Sequence, residues 1–321
     1  MSRETLKAPF KGVIATVPTA FDNQYRVDYG RMADATEHWV QAGLVNGRTA
    51  LKVGASMGEG QQLREEEWVR LLDTVVQAAK GRVPVLGAIH HKDTLRTIED
   101  ARRAADLGVA GLQVSPPIFN QPNQEDMLRY FGAVSDAIEI GVMTYNTHWL
   151  EGGAIYPDTF RRMADFERIA AIKWSPPKGV AYEEIFDLVH TFNILDNSGR
   201  AVLCHRLGGH GYLIDGIDAY PPYYLNLWDL MEAGRYDEAQ SEWDRVVEPL
   251  KEFHSRVVAN SGGDGKTEKA MSEIMGFSMG PPRPPSIPLD DEEMTELRRL
   301  MIDWEWPVAQ SAIVAARPTR P

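Results

Sequence analysis

Eight short apolar segments recur along the chain, and stretches with helical periodicity separate them. The apolar segments are Gly12 to Val17, Thr49 to Val53, Val83 to Ala88, Gly111 to Val114, Ile140 to Tyr145, Ile169 to Lys173, Asn193 to Asp196 and Gly211 to Ile214. Predicted helices start near Asp28, Arg64, Asp93, Gln124, Pro157, Tyr182 and Arg200, with one more after Pro222. Buried strands that alternate with helices indicate a parallel sheet in an α/β fold. Eight such units with short connections predict a closed (β/α)₈ TIM barrel.

The remainder of the chain has a different pattern. Its 321 residues exceed the roughly 250 that a barrel of this kind needs. Helices are predicted at Tyr236 to Val258, Lys266 to Met275 and Asp290 to Trp304. We therefore divide the chain into a barrel at residues 10–232, a C-terminal helical extension at 233–307 and a loosely held tail at 308–321.

Charge and composition exclude several classes of partner. The net charge is −12 and no basic cluster occurs, so nucleic acid is not an expected partner. No apolar run approaches the roughly 20 residues of a membrane span, and the N-terminus lacks the apolar core of a signal peptide. Cys204 is the only cysteine, which excludes an internal disulfide. These features predict a cytoplasmic globular protein.

Two reactive side chains stand at the ends of neighbouring predicted strands. Tyr145 ends the fifth apolar segment, and Lys173 ends the sixth. Strand ends of this kind meet at the barrel face where enzymes of this fold carry out their chemistry. A lysine desolvated there can lose its proton and attack a carbonyl carbon to form a Schiff base. A phenol beside it can transfer protons, so the pair predicts covalent catalysis. The alternative for Lys173 is a lysine that extends into solvent.

Several ordered motifs resemble one family from about Phe10 to Trp304. The motifs are Gly54-Ala55-Ser56-Met57-Gly58-Glu59 after the second strand, Tyr145-Asn146 after the fifth, Ile172-Lys173 at the end of the sixth, and Gly208-Gly209-His210-Gly211 before the eighth. Together and in this order, they resemble the dihydrodipicolinate synthase / N-acetylneuraminate lyase superfamily of class I aldolases.

The resemblance implies a role for each of several residues. Lys173 would be the Schiff-base lysine, and Tyr145 would carry protons to and from the carbinolamine. Ser56 would hydrogen-bond the tyrosine and the substrate, and the backbone N–H groups of Ser56 and Met57 would hold a carboxylate. Leu213 would offer a main-chain carbonyl to the substrate. The resemblance further implies an α-keto acid of pyruvate type and an aldehyde as substrates, a homo-oligomer (tetramer or dimer), and no cofactor.

Departures from the family pattern concern the second substrate. Dihydrodipicolinate synthases have an arginine soon after the Tyr-Asn pair, whereas residues 147–153 contain none. A loop that contributes a tyrosine to the neighbouring subunit in relatives carries Phe119 here. The chain is therefore not expected to be a typical dihydrodipicolinate synthase. A pocket with Trp149, Phe119 and Met57 would suit an apolar or aromatic second substrate.

The histidines near strand ends allow two interpretations. His90, His91 and His148 follow predicted strands and could hydrogen-bond a substrate or simply satisfy loop backbone. Their spacing matches no metal-binding motif, so we predict no metal ligand.

Four functions remain open at this point. The first is a class I aldolase or lyase acting on an α-keto acid through Lys173. The second is a hydro-lyase that dehydrates a sugar acid or hydroxylated keto acid through the same intermediate. A non-catalytic barrel subunit and a metal-dependent barrel hydrolase are the others.

Overall fold

A computed structural model of the chain describes residues 2–310, and it contains a closed barrel of eight parallel strands. The strands are β1 Gly12–Thr16, β2 Thr49–Val53, β3 Val85–Ile89, β4 Gly111–Val114, β5 Gly141–Tyr145, β6 Ile169–Trp174, β7 Asn193–Asp196 and β8 Gly211–Tyr212. Each strand pairs in parallel with the next, and β8 closes the barrel on β1. All eight strands are buried along their whole length, because the helices cover the outside and side chains fill the inside.

Helices connect the strands and then continue beyond the barrel. The helices are α1 Arg3–Lys7, α2 Tyr29–Gln41, α3 Glu65–Ala79, α4 Thr94–Asp106, α5 Gln124–Ala137, α6 Pro157–Arg162, α7 Ala201–Arg206, α8 Pro221–Glu232, α9 Tyr236–Asn260, α10 Gly265–Ile274 and α11 Asp291–Asp303. Short 3₁₀ segments occur at Gly60–Gln62, Ile118–Asn120, Met163–Asp165 and Tyr182–Leu188. The fold is therefore the predicted (β/α)₈ TIM barrel with a C-terminal helical extension. No helix in the described part of the chain is long and apolar enough to cross a membrane.

Three local predictions need correction. The helix expected near Tyr182 is a 3₁₀ segment, in which the amide of Val189 donates to the Phe186 carbonyl three residues back. Strand β3 starts at Val85, beyond Pro84, which has no N–H for a strand ladder. Strand β8 ends at Tyr212, two residues before the predicted end. Most of the predicted tail, residues 311–321, lies outside the described residues.

The N-terminal segment closes one end of the barrel, which the apolar pattern did not predict. Leu6 and Phe10 belong to the buried cluster that fills the barrel interior. The side-chain amide of Asn193 donates to the carbonyls of Lys7 and Phe10, at 3.0 and 2.8 Å. A Cβ atom at Gly111 would come within 2.4 Å of the Phe10 ring, so glycine is needed there. Because the N-terminal segment fills this end of the barrel, the opposite end is the one that is open to a substrate.

A buried pair of carboxyl groups joins the barrel to α10. Asp218 follows β8 and is 1% exposed, and Glu268 on α10 is 0% exposed. Glu268 accepts a hydrogen bond from the amide of Gly216 at 3.1 Å, and its carboxyl interacts electrostatically with that of Asp218. Burial, together with the charge of Asp215, raises the pKa of Asp218 to about 6, and burial raises that of Glu268 well above its usual value.

Replacing Asp218 by asparagine is expected to stabilise the protein at alkaline pH. A carboxyl whose pKa is raised on folding stabilises fully below its unfolded value, and that contribution is lost as the pH rises through about 6. Asp218→Asn should therefore raise Tm at pH 8 by about 2–6 °C and change it little at pH 4. Calorimetry at pH 4, 6 and 8 tests this, with the exposed Asp136→Asn as control. An equal gain in Tm at pH 4 would show that repulsion between ionised carboxylates does not explain the stabilisation.

Candidate active site

Lys173 and Tyr145 lie side by side at the C-terminal ends of β6 and β5. The two residues are partners in the register between these strands. Lys173 is 5% exposed, and its Nζ lies 3.6 Å from the centroid of the Tyr145 ring. The carboxyl ends of the eight strands open on the face where enzymes with this fold bind their substrates. An amine and a phenol therefore stand in contact at the expected end of the barrel.

The environment of Lys173 favours its neutral form. Burial lowers the pKa of Lys173 to about 7, although a hydrogen bond with Lys52 and the charges of Asp264 and Asp215 act in the opposite direction. In the described part of the chain, Lys173 forms no ion pair with a carboxylate, so no contact fixes its charge. Near neutral pH a large fraction of the amine is consequently unprotonated, which is the nucleophilic form.

Tyr145 keeps its proton under the same conditions. Burial and the charge of Asp264 raise the pKa of the phenol well above its ordinary value, while a hydrogen bond from Asn197 lowers it in part. The side chain is 8% exposed, so it still reaches the open end of the barrel. A neutral phenol next to a neutral amine can donate a proton where the amine attacks.

Ser56 is joined to an aspartate from the far end of the chain. The hydroxyl of Ser56, in the loop after β2, donates a short hydrogen bond to the carboxylate of Asp264. Asp264 directly precedes α10, and its side chain does not cap that helix. Gly265 makes the approach possible, because a Cβ atom there would lie 2.6 Å from the Met57 carbonyl. The helical extension thus contributes a carboxylate to the site.

Two histidines lie on either side of this cluster in neutral form. His90 Nδ1 lies 3.0 Å from Ser115 Oγ, and His148 Nε2 lies 3.0 Å from Ser175 Oγ. Burial lowers the pKa of both histidines, strongly for His90, where His91 and Lys173 add positive charge. The Nε2 atom of His90 is buried and has no hydrogen-bond partner among the described residues. The hydrogen-bonding capacity of this ring nitrogen is therefore not satisfied by the described residues.

Of the four apolar residues predicted for the pocket, three lie near the site in the single chain and one does not. Trp149 is 52% exposed and packs its ring against Tyr145, with centroids 5.6 Å apart. Leu213 is buried within the barrel interior, and Met57 is partly buried beside α10. Phe119 is 93% exposed in the single chain and does not join this cluster. Its short 3₁₀ segment holds Phe119 in solvent in the single chain, and because this loop was expected to reach a neighbouring subunit, its place in the pocket stays a prediction.

The structure also brings in residues that the sequence analysis did not name. Lys52 and Gln113 lie inside the barrel below Lys173, and Asn197 contacts Tyr145. A signal for Lys52 was available, because it follows Ala50 by two residues in a buried strand and so shares its inward face. Asp264 had none, since 208 residues separate it from Ser56.

Within residues 2–310, no group of three or more His, Cys, Asp or Glu side chains is arranged to hold a metal ion. The site consists instead of a neutral amine, a protonated phenol and a carboxylate-bound hydroxyl. Such a set can form a carbinolamine and move protons around it.

Comparison with known proteins relates the chain to enzymes with this arrangement of strands. The model of the dihydrodipicolinate synthetase family matches residues 9–303. A 4-hydroxy-tetrahydrodipicolinate synthase of Heliobacterium modesticaldum is 28% identical over 294 residues, covering 91% of this chain and 95% of that protein. An enzyme of the same name from Symbiobacterium thermophilum is 27% identical over 296 residues, covering 92% of this chain and 98% of that protein.

Solved structures share the fold. The dihydrodipicolinate synthase of Thermotoga maritima superposes with a TM-score of 0.83 at 22% identity, covering 92% of this chain and 99% of that one. A prophage protein of the dihydrodipicolinic acid synthase family from E. coli K12, determined in complex with pyruvate, superposes with a TM-score of 0.79 at 24% identity and the same coverage.

Proposed function

Because the chain belongs to the dihydrodipicolinate synthetase family of aldolase-type lyases, we propose that it acts on an α-keto acid through a Schiff base formed by Lys173. The observation that carries the proposal is the position of this amine. It is buried at the open end of the barrel, in contact with the ring of Tyr145, and it has no carboxylate ion-pair partner in the described part of the chain. A lysine serving only solubility would extend into water instead.

The proposed reaction starts with attack by the neutral amine of Lys173 on the keto carbon. Tyr145 donates its proton to the carbonyl oxygen as the carbinolamine forms, and it takes a proton back from the nitrogen. It then donates this proton to the carbinolamine hydroxyl, which leaves as water. The product is an iminium that keeps one N–H and one positive charge. The phenolate of Tyr145 then takes a proton from the neighbouring carbon, which gives an enamine, and this carbon attacks the second substrate. The reverse sequence cleaves the same carbon–carbon bond.

The charges at the site support a second substrate without a carboxylate. Residues 147–153 contain no arginine, and Asp264 and Asp215 both act electrostatically on Lys173. A second anionic group near them would be repelled. Trp149 offers an apolar surface next to Tyr145, and the unpartnered Nε2 of His90 can bind a carbonyl or hydroxyl oxygen if it carries the proton. We propose a neutral aldehyde with an apolar or aromatic group.

A hydro-lyase is the second candidate function, and the Ser56–Asp264 pair favours it. A hydroxyl held by a carboxylate can pass a proton to a departing hydroxyl group. The enamine formed from the same iminium would then expel a β-hydroxyl as water rather than add to an aldehyde. Product analysis separates the two functions, since cleavage gives two carbon fragments and dehydration gives one.

We also propose a homo-oligomer, either a dimer or a tetramer. The exposure of Phe119 supports it, since a large apolar side chain at 93% exposure is better accommodated against another surface than in water. No nucleic acid partner is proposed for so acidic a chain.

Trapping with borohydride tests the proposed function. Intact mass spectrometry after reduction in the presence of pyruvate should show one added mass of reduced pyruvate per chain, and peptide mapping should place it on Lys173. An adduct with only larger keto acids would favour the hydro-lyase or an aldolase for bulky substrates. Absence of an adduct across a panel of α-keto acids would support the non-catalytic barrel subunit instead.

A further inference from the structure

Lys52 is a buried amine for which the proposed reaction has no role. It lies in the middle of β2, pairs in register with Thr16 and Leu86, and is 0% exposed. An ionised lysine is rarely buried without a partner of opposite charge, because removing an ammonium ion from water costs several kcal/mol. In the part of the chain described by the structure, Lys52 forms no ion pair. Its contacts must therefore explain its presence.

Those contacts are a neutral amide and the amine of Lys173. Lys52 Nζ donates to the side-chain oxygen of Gln113 at 2.9 Å and is hydrogen-bonded to Lys173. The three residues come from β2, β4 and β6. Side chains from alternate strands of a (β/α)₈ barrel form one layer of its interior. Lys52, Gln113 and Lys173 thus make a polar layer directly under the open end of the barrel.

This layer can hold only one positive charge. Two ammonium groups in contact away from water repel each other, so one must be neutral. The charged groups that act on the layer are Asp215 and Asp264 near Lys173, and Lys92 near His90; His90 and His91 are the other titratable neighbours, with Tyr145. Both carboxylates act on Lys173, and neither is among the groups that act on Lys52.

When the pair carries a proton, that proton is therefore on Lys173, and Lys52 stays neutral. Burial lowers the pKa of Lys52 well below its ordinary value, and the charge and hydrogen bond of Lys173 lower it further. Lys52 is then a neutral amine with two N–H bonds and one lone pair. One N–H donates to Gln113, and the lone pair accepts from Lys173.

We propose that Lys52 is a positioning residue of the Schiff-base site, a neutral amine that accepts a hydrogen bond from Nζ of Lys173 and holds this atom toward the open end of the barrel. The inference rests on the proposed function. The iminium formed by Lys173 retains one N–H, so the same acceptor serves the ammonium form and the intermediate. Because Lys52 is neutral, it adds no charge against the iminium.

Substitution of Lys52 by methionine tests this role. Methionine is similar in length and accepts no strong hydrogen bond, so the ammonium form of Lys173 loses its acceptor. The midpoint of the Lys173 titration should fall by about one pH unit, which is a tenfold change in the neutral fraction below the midpoint. The titration is read without substrate, from the pH dependence of acetylation of Lys173 by acetic anhydride and peptide mass spectrometry. Exposed Lys11 serves as the internal reference.

Two further variants complete the test. Lys52→Arg places a permanent cation beside the iminium and should reduce the pyruvate adduct trapped by borohydride at least 100-fold. Lys52→Gln keeps a polar side chain and an acceptor, so its midpoint should lie between those of the wild type and Lys52→Met; it is also the substitute if the methionine variant does not fold. An unchanged midpoint in Lys52→Met would overturn the proposal, and so would an upward shift, which would mean that Lys52 is charged. A lowered midpoint with no keto-acid adduct in any form of the protein would retain the amine pair and reject the proposed function.

Discussion

Replacing Lys173 by methionine is expected to remove the borohydride-trapped pyruvate adduct completely. The amine is the only group at the open end of the barrel that the proposed reaction uses as a nucleophile, and no neighbour can take its place: Lys52 is fully buried beneath it. The same variant should reduce exchange of the methyl protons of pyruvate in D₂O to the uncatalysed rate, because this exchange requires the enamine. Proton NMR measures that rate without knowledge of the second substrate.

A conservative change at Tyr145 separates the nucleophile from the group that transfers protons. Tyr145→Phe retains the ring that packs on Lys173 and removes only the hydroxyl. The adduct should still form, but the exchange rate should fall by about 10²–10⁴-fold. Lys11→Met, a change at an exposed lysine, should leave both measurements unaltered. Persistence of the adduct in Lys173→Met would assign the Schiff base to another lysine.

Glu59→Gln is expected to cost about 3–5 kcal/mol of unfolding free energy at pH 6. Glu59 and Lys269 form an ion pair at 2.5 Å, and each is 4% exposed. The substitution leaves a buried ammonium without its counter-charge, while the glutamine oxygen can still accept from the amide of Arg283. Burial already lowers the pKa of Lys269 to about 8 against the attraction of Glu59. The loss should therefore shrink above pH 8, where the amine becomes neutral. Urea unfolding followed by circular dichroism gives the free energies.

Matched variants test whether the uncompensated charge of Lys269 causes the stability loss in Glu59→Gln. Adding Lys269→Met to Glu59→Gln removes the uncompensated ammonium and should recover part of the lost stability. Glu125→Gln breaks an exposed ion pair with Arg162 and should cost no more than about 1 kcal/mol. If the double variant is less stable than Glu59→Gln alone, the hydrogen bonds and packing of Lys269 matter more than its charge.

The fold was predictable because the apolar pattern of the chain is dominated by its parallel strands. Strands buried on both faces appear as continuous apolar runs, and the predicted bounds of β2, β4 and β7 agree with the structure. The errors arose where periodicity carries little information. Tyr182–Leu188 is too short to show which helical type it adopts, and α1 has only five residues.

The site was predictable only where it lies on strand ends. Lys173, Tyr145 and Ser56 come together because the barrel places the ends of β6, β5 and β2 on one face. The partner of Ser56 comes from the loop before α10, and no local pattern indicates where such a loop will pack. Lys52 and Gln113 each interrupt an apolar strand, and these interruptions were the available signs of a polar layer inside the barrel.

The contribution of Asp264 has a consequence for the order of events during synthesis. A chain that leaves the ribosome from its N-terminus has exposed all eight strands well before residue 264, and domains begin to fold as they emerge. A nascent barrel can thus bring Lys173 and Tyr145 together while Ser56 still lacks its carboxylate and Glu59 its lysine. The loop after β2 then reaches its final arrangement only when α10 docks. Translation of the last helices accordingly completes a site whose nucleophile is already in place.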